Sequence, residues 1–483
     1  MKQLGPDVKF QHFIGGKDVQ PSSRKYFESH DPSNGERLGY FAHGDKADVD
    51  AAVRSAYDGY MLWKNIKPSE RGRILYRFAQ LLTENADEFT HLESVDTGKP
   101  LRTARRDLDM SARYFEFYAG AVDKFTGDTI PASNDHLLFT VREPYGVTAH
   151  ILPWNSPMNQ LARGIAPALA MGNSVVVKPA EQTPVTTLYF AQLAIAAGLP
   201  PGAFNVVTGF GDAGDALARH PLSARITFTG SVETGRLVMH AGADRIVPVT
   251  AELGGKSPFI VFDDADLDKA AGAAVTAFVA NCGQTCSAGS RLLIQRGIAD
   301  KFVDKMTAII AKTVTIGPGK EDPTIGSIVS QAQYDRVMSY IDIGQKEGAR
   351  VACGGKRPAG DKYEKGFFVE PTIFVGVNND MRIAREEIFG PVAAVINFED
   401  ESEAIKIAND TEYGLASAVW TRDVSRGLRV ARQIEAGQVW INCFRDIDVE
   451  APFGGYKNSG VGREKGLEAL HHYTQVKTMA ICI

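Results

Sequence analysis

The sequence predicts an α/β protein built on two doubly wound parallel sheets, and three observations carry that prediction. Between Gly146 and Leu253, short β-branched runs begin 27, 30, 21 and 21 residues apart. Helical patterns fill the earlier gaps, and strand–helix–strand at that spacing is the unit whose right-handed crossover makes a parallel sheet with helices on both faces. At 483 residues and 44% hydrophobic composition, the chain is long enough for about three structural units with more than one core, at roughly 150 residues each.

Taken in order, the stretch from Asp45 to Tyr118 is mostly helical. Val49, Val53 and Tyr57 recur at four-residue spacing, and Ile74, Phe78, Leu81 and Leu82 do much the same. Between Phe125 and Val147 the pattern turns to alternation, punctuated by Gly127 and Pro131, with 137–141 as a strand. The strands of the first sheet are predicted at 147–152, 174–178, 204–208, 225–228 and 246–251, with helices at 158–171 and 185–197. A second series opens with a strand at 258–262 and a helix from Leu267 to about Val279; further strands are predicted at 291–294, 392–398 and 438–442. No repeat or low-complexity segment interrupts the chain.

Composition narrows the function. The 53 basic and 58 acidic residues leave a net charge of −5 with no long basic block, which argues against nucleic acid or an anionic membrane as partner. Cys282, Cys286, Cys353, Cys443 and Cys482 are too few and too unevenly spaced for a disulfide framework, so a reducing compartment, the cytoplasm, is expected. With no C-x-x-C pair and no His-rich segment after it, no metal is expected. The first seven residues hold no apolar targeting core, and the longest apolar stretch, 270–280, falls short of the roughly 20 residues that span a bilayer. Small-molecule chemistry is the remaining default.

Several residues bear on that chemistry. Gly209-Phe210-Gly211-Asp212-Ala213-Gly214 matches G-x-G-x-x-G between a strand and a helical pattern, the setting of a dinucleotide turn, though a ligand-free turn has the same form. Phe228 to Gly235 is a second such turn, whose helix N-terminus could hold a pyrophosphate. Cys286, among small turn-forming residues, is either a reachable thiol favoured as thiolate by backbone dipoles or an inert buried side chain; Cys282 fits the inert description better. Glu252, at the end of an apolar strand, is either a general base with a raised pKa or a salt-bridge partner of Lys256. Asn155, in the proline-flanked turn Pro153-Trp154-Asn155-Ser156-Pro157, is either an oxyanion donor or an Asx-turn bonded to its own backbone.

As a set, these residues resemble the NAD(P)-dependent aldehyde dehydrogenase superfamily over nearly the entire chain. The resemblance rests on Pro153-Trp154-Asn155, Lys178-Pro179-Ala180-Glu181-Gln182-Thr183-Pro184, Phe228-Thr229-Gly230-Ser231, Glu252-Leu253-Gly254-Gly255-Lys256, Gly283-Gln284-Thr285-Cys286, Glu386-Glu387-Ile388-Phe389-Gly390-Pro391 and Pro452-Phe453-Gly454-Gly455, seven motifs in the family's order. It implies Cys286 as nucleophile, Glu252 as general base, and Asn155 with the Cys286 backbone N–H as the oxyanion hole. An aldehyde has no leaving group, so a thiolate must add first; the thioester left after hydride loss must then be hydrolysed. The resemblance also implies Lys178 and Glu181 at the adenine ribose, Ser231 near the pyrophosphate, Glu387 and Phe389 around the nicotinamide half, and Trp154 and Gly230 among the cofactor-binding residues. The carboxylate of Glu181 would repel a 2′-phosphate, so NAD is favoured over NADP. By the same token Gly209–Gly214 is not expected to be the cofactor loop.

The implied organisation is an NAD-binding domain at 1–122 and 145–253, a catalytic domain at 254–455, and a small β oligomerisation arm at 123–144 and 464–483 that makes a homodimer or homotetramer. Departures concern the substrate. Where relatives acting on small aliphatic aldehydes carry aromatic residues, this chain has Ser156, Arg163 and Ala280, so a wider, more polar pocket is expected, bordered also by Arg445, Ile447 and Phe453. Arg163 and Arg445 could grip a carboxylate, which suggests a bulky, aromatic or carboxylate-bearing aldehyde. The competing readings are a coenzyme A-acylating relative, against which Glu252 argues, a cofactor-independent thiol esterase, and a non-catalytic structural protein.

Overall fold

The computed structural model describes residues 3–445 and 448–483. Two large sheets organise the chain. In the eight-stranded sheet, five parallel strands run in the spatial order Val249–Glu252, Ser223–Thr229, Val147–Ile151, Ser174–Lys178, Phe204–Val206. Antiparallel strands flank them, Gly460–Val461 on one edge and His12–Ile14 with Lys17–Val19 on the other. The chain starts at the middle strand and winds outward in both directions, so the crossovers diverge between Val147–Ile151 and Ser223–Thr229. That topological switch point leaves a crevice at the carboxyl ends of the strands.

The seven-stranded sheet runs Arg350–Cys353, Thr372–Val375, Val392–Phe398, Arg291–Gln295, Pro258–Val261, Ala416–Trp420, Gln438–Ile441, parallel except at its first pair. The central strands of both sheets are buried on both faces, the setting that apolar runs such as 175–177 and 258–261 require. The third sheet is antiparallel: Thr474–Cys482 pairs with His136–Pro144, which pairs with Thr129–Ile130.

Helices Lys46–Trp63, Pro68–Glu84, Ala86–Thr97 and Leu101–Ala121 make up the helical stretch predicted near the N-terminus. Asp45 caps the first, accepting from the Ala47 and Asp48 backbone N–H groups. Val49 and Val53 are buried as the spacing predicts, but Tyr57 is exposed. Each four-residue step advances about 40° beyond a full turn, so the third position has rotated off the buried face. Phe78 packs on Phe115 at 4.5 Å and Phe89 on Phe190 at 5.1 Å, joining these helices into one core with Pro157–Ala170.

One predicted strand shifts. Ile246 lies outside the strand that was expected to begin there: it has φ 56° and is 93% exposed. The segment closes the preceding helix instead, with the Val247 N–H donating to the Gly242 carbonyl, and the strand starts at Val249. Among the described residues no helix is long and apolar enough to cross a membrane.

Candidate active site

Three strand ends deliver side chains to the crevice. Val147–Ile151 leads into the turn that carries Trp154 and Asn155, Ser223–Thr229 into Gly230 and Ser231, and Val249–Glu252 ends on Glu252 itself. The seven-stranded sheet contributes the fourth piece. Helix Leu267–Val279 ends in a tight turn at Ala280–Gly283, after which Cys286 precedes strand Arg291–Gln295.

That turn is strained and strongly held. Asn281, Cys282 and Gly283 all have left-handed backbones, with φ of 51°, 56° and 70°. At Gly283 a side chain is excluded, because a Cβ would stand 2.0 Å from the Gly390 carbonyl oxygen. The Asn281 amide donates to the Asn155 carbonyl at 2.9 Å, and the Asn155 amide donates to the Gln284 carbonyl at 3.0 Å. Asn155 therefore does not form the local Asx-turn left open by the sequence; its amide is fixed across to the cysteine loop. An amide nitrogen bears two N–H donors, so fixing one aims the other.

Cys286 is half-buried and stands where two cavities meet. Burial pushes its thiol up to about 11, against the pull of the Arg163 charge, with Glu387 and Glu252 adding to the rise. Of the two descriptions that the sequence left open, a thiolate favoured by backbone dipoles and a buried thiol, the direction of this shift agrees with the second. Cys282 is fully buried, as expected.

Glu252 is 2% exposed and neither carboxylate oxygen has a hydrogen-bond partner within the protein. Burial, then the nearby charge of Glu464, holds it well above the usual carboxylate range, with Arg163 and Arg463 opposing. No salt bridge to Lys256 forms; the Lys256 amine is itself buried without a partner, and burial lowers it to about 7.

On one side of Cys286 lies a cavity of about 400 Å³ lined by Trp154, Asn155, Gly230, Ser231, Glu252 and Glu387 among others. The Phe389 ring also lines it and meets Trp154 edge-on at 5.2 Å. The Gly255 N–H donates to the Glu387 carboxylate at 3.1 Å, and at Gly254 a Cβ would stand 2.1 Å from the same carboxylate. Burial raises Glu387 to about 7.

Pro153, Trp154, Thr229, Gly230 and Ser231 line both this cavity and a second one of about 560 Å³, so the two adjoin as lobes of one cleft. At their junction Ser231 caps helix Val232–Ala243, accepting from the Thr234 N–H, so the N-terminal end of that helix meets the cleft. The second lobe holds the Lys178–Glu181 ion pair at 3.1 Å. Gly211 and Gly214 line it too, so the glycine pattern that the family resemblance set aside borders the cleft after all.

On the other side of Cys286 a cavity of about 520 Å³ is lined by Ser156, Arg163, Ala280, Arg445 and Phe453. Ile447 lies outside the described residues. Arg163 is buried, forms an ion pair with Glu464 and lies 5.1 Å over the Phe453 ring, so its charge is already engaged within the protein. Replacing Arg163 with Met should leave Glu464 buried and unpaired, lowering stability by about 3–5 kcal/mol as read from the urea midpoint.

Sequence reasoning missed Gln333 and Arg336, on helix Gln331–Lys346, which donate to the Phe389 carbonyl at 2.9 Å and the Glu387 carbonyl at 2.7 Å and so hold that segment. It also missed Gln160, which lines both cavities beside Cys286. A helical periodicity around 331–346 was the available signal for the first two. Gln160 is on the cavity-facing side of a helix that was predicted, three residues before Arg163.

A model of the aldehyde dehydrogenase family matches residues 19–479. Aldehyde dehydrogenase 1 of Tanacetum cinerariifolium is 46% identical over 99% of this chain and 96% of its own length. A hydroxyisobutyraldehyde dehydrogenase of Mycolicibacterium austroafricanum is 46% identical over 97% of this chain and 93% of its own. Among solved structures, the indole-3-acetaldehyde dehydrogenase AldA of P. syringae, in complex with NAD+, superposes with a TM-score of 0.96 at 41% identity, covering 99% of this chain and 97% of that one.

Proposed function

The chain belongs to the aldehyde dehydrogenase family, and from that premise we propose that it oxidises an aldehyde to the carboxylic acid with NAD, through a covalent intermediate on Cys286. The observation that carries this reading is the position of Cys286 at the meeting of the two cavities, beside a fixed amide and a buried carboxylate.

The bilobed cleft suits a dinucleotide in shape and donors. Lys178 and Glu181 would hold the adenine ribose, Gly230 and Ser231 the pyrophosphate over the helix N-terminus, and Trp154, Glu387 and Phe389 the nicotinamide half. Bound there, a dinucleotide supplies the acceptor for a hydride. The protein's own steps are these. The Cys286 sulfur, once deprotonated, forms a bond to the aldehyde carbon, and the carbonyl electron pair moves to oxygen. Asn155 and the Cys286 backbone N–H donate to that oxyanion. After hydride departs, a thioester remains; Glu252 takes a proton from water, whose oxygen attacks the acyl carbon and releases the acid with cleavage of the carbon–sulfur bond.

Within this reading 1–122 and 145–253 form the NAD-binding domain, 254–455 the catalytic domain, and 123–144 with 464–483 the arm. Val476, Met479 and Ile481 are exposed apolar residues on the arm sheet, which favours a homodimer or homotetramer. The five free cysteines suit a reducing compartment such as the cytoplasm.

The deciding assay follows NADH and acid formation across aliphatic, aromatic, amino and carboxylated aldehydes without coenzyme A. Acid produced stoichiometrically with NADH is the expected result; a strict need for coenzyme A would assign the chain to the acylating branch. With NADP, kcat/KM should fall at least about tenfold, equivalent to about 1.4 kcal/mol, because Glu181 opposes a 2′-phosphate. Equal efficiency with both would remove that role from Glu181.

A further inference from the structure

We infer that the substrate carries a carboxylate at the end away from the aldehyde, and that Arg106 and Arg445 grip it at the mouth of the substrate-side cavity. The inference rests on the aldehyde-oxidising reading above and moves the anchoring role away from Arg163.

The argument starts from the charges that line this cavity. Among the described residues five cations border it, Arg102, Arg106, Arg163, Arg445 and Lys465, against two carboxylates, Asp107 and Asp448. Most are already matched. Arg102 pairs with Asp322 at 3.1 Å, and Arg163 with Glu464. Asp107 is held by Lys99 at 2.6 Å, a lysine with no exposed side chain, and Asp448 lies within electrostatic reach of Lys465. Among the described residues neither Arg106 nor Arg445 forms an ion pair with a carboxylate, and Asp107, whose charge reaches Arg445, is already held by Lys99.

Their placement is equally specific. Arg106 stands on the exposed side of helix Leu101–Ala121, and Arg445 in the loop after strand Gln438–Ile441, so the two approach the opening from different parts of the chain. Both guanidiniums border the one cavity, and each lies within electrostatic reach of the other. The Arg445 charge also reaches the Cys286 thiol and pulls it down against burial. Two unmatched, mutually repelling guanidiniums over an opening that leads to the nucleophile form a receptor for an anion, and planar forks of this kind match a carboxylate bidentately. Both residues are exposed whereas Arg163 is buried behind them, so the anion belongs at the rim. Longer or aromatic carboxylated aldehydes should therefore fit better than short ones.

Matched substrates test this. For para-carboxybenzaldehyde against its methyl ester, and for a short and a longer ω-carboxylated aldehyde against theirs, the acid-to-ester ratio of kcat/KM should exceed about tenfold for the aromatic and longer acids. In Arg106→Ala/Arg445→Ala the ratio should collapse towards unity, chiefly through KM for the acid, while the double Lys variant keeps part of it, having the charge without the fork. The ratio is internal to each enzyme, so a general loss of activity or folding cancels. A second readout needs no variant: raising ionic strength should lower the wild-type ratio. A wild-type ratio near unity, or one the double Ala variant leaves intact, overturns the inference and leaves the aldehyde-oxidising reading standing. If neither acid nor ester of any pair yields NADH, that reading fails and the inference falls with it.

Discussion

Cys286→Ala should abolish NADH formation with every aldehyde, a fall of at least roughly 10⁴-fold, because among the described residues no other side chain lining the two cavities is a thiol, and removing the proposed nucleophile would leave only positioning effects. The variant should still bind NAD. At about 100 times the dissociation constant, the dinucleotide should stabilise it by about 2.7 kcal/mol, as it does the wild type, which separates lost chemistry from lost fold. Cys282→Ala supplies the contrast: Cys282 is fully buried within the left-handed turn, so its loss should lower Tm by leaving a small void while turnover persists at permissive temperature. The pH dependence follows from burial. With the thiol pushed up to about 11, alkylation of Cys286 in the free protein should accelerate about tenfold per pH unit through the neutral range, because the thiolate fraction rises in that proportion below its pKa. A flat alkylation profile from neutral pH upward would mean that the thiolate is already formed, and would favour the backbone-dipole alternative that the sequence left open.

What could be read from the sequence followed how strongly a local signal survives tertiary packing. Val175, Val176 and Val177 are all buried in the middle of a parallel sheet, and an unbroken β-branched run of that kind has few other structures open to it. Ala416-Ser417-Ala418-Val419-Trp420 is just as buried but carries no strand signal in the sequence, since small residues have little β-signal and one of its two partners, Pro258–Val261, is far away in sequence. The strand Gly460–Val461, which closes the edge of the first sheet beside Glu252, is two residues long and has no pattern to read. The order of strands was legible only as a class: the spacing implied doubly wound sheets, whereas the divergence at Val147–Ile151 emerges from pairing alone.

The candidate site divides in the same way. Cys286, Glu252 and Asn155 stood out because their neighbours form turns and strand ends, and the structure brings all three to one cavity wall. Their alternatives were long-range questions. The Asn155 amide meets a carbonyl 129 positions away, and Glu464, 301 positions after Arg163, takes up the guanidinium that the sequence left free. A single sequence holds no signal for either pairing. The glycine pattern at Gly209–Gly214 was set aside as the cofactor loop on the family argument; two of its glycines, Gly211 and Gly214, nonetheless border the second lobe.

Glu252→Gln should separate the two halves of the reaction. Rapid mixing with aldehyde and NAD should give a burst of up to one NADH per active site and then stall, because acylation of Cys286 does not use the carboxylate whereas water attack on the thioester does. Steady turnover should fall by roughly 10²–10⁴-fold, the range expected for loss of a general base. Mass measurement of the stalled protein should find the acyl group on Cys286. The wild-type pH profile should agree. A carboxylate held well above its ordinary range is protonated, and useless as a base, on the acid side, so deacylation should rise with pH until Glu252 ionises. The same shift sets a sign for stability. A folded-state pKa above the unfolded one means that the protein loses stability as pH rises past the unfolded value, since a carboxylate with no partner is ionised inside the protein. The Gln variant carries no such charge, so its Tm should exceed that of the wild type increasingly on the alkaline side. Undiminished steady turnover in Glu252→Gln would assign water activation to another group. A Tm gap that closes with rising pH would show that Glu252 is not the buried, unpartnered acid described here.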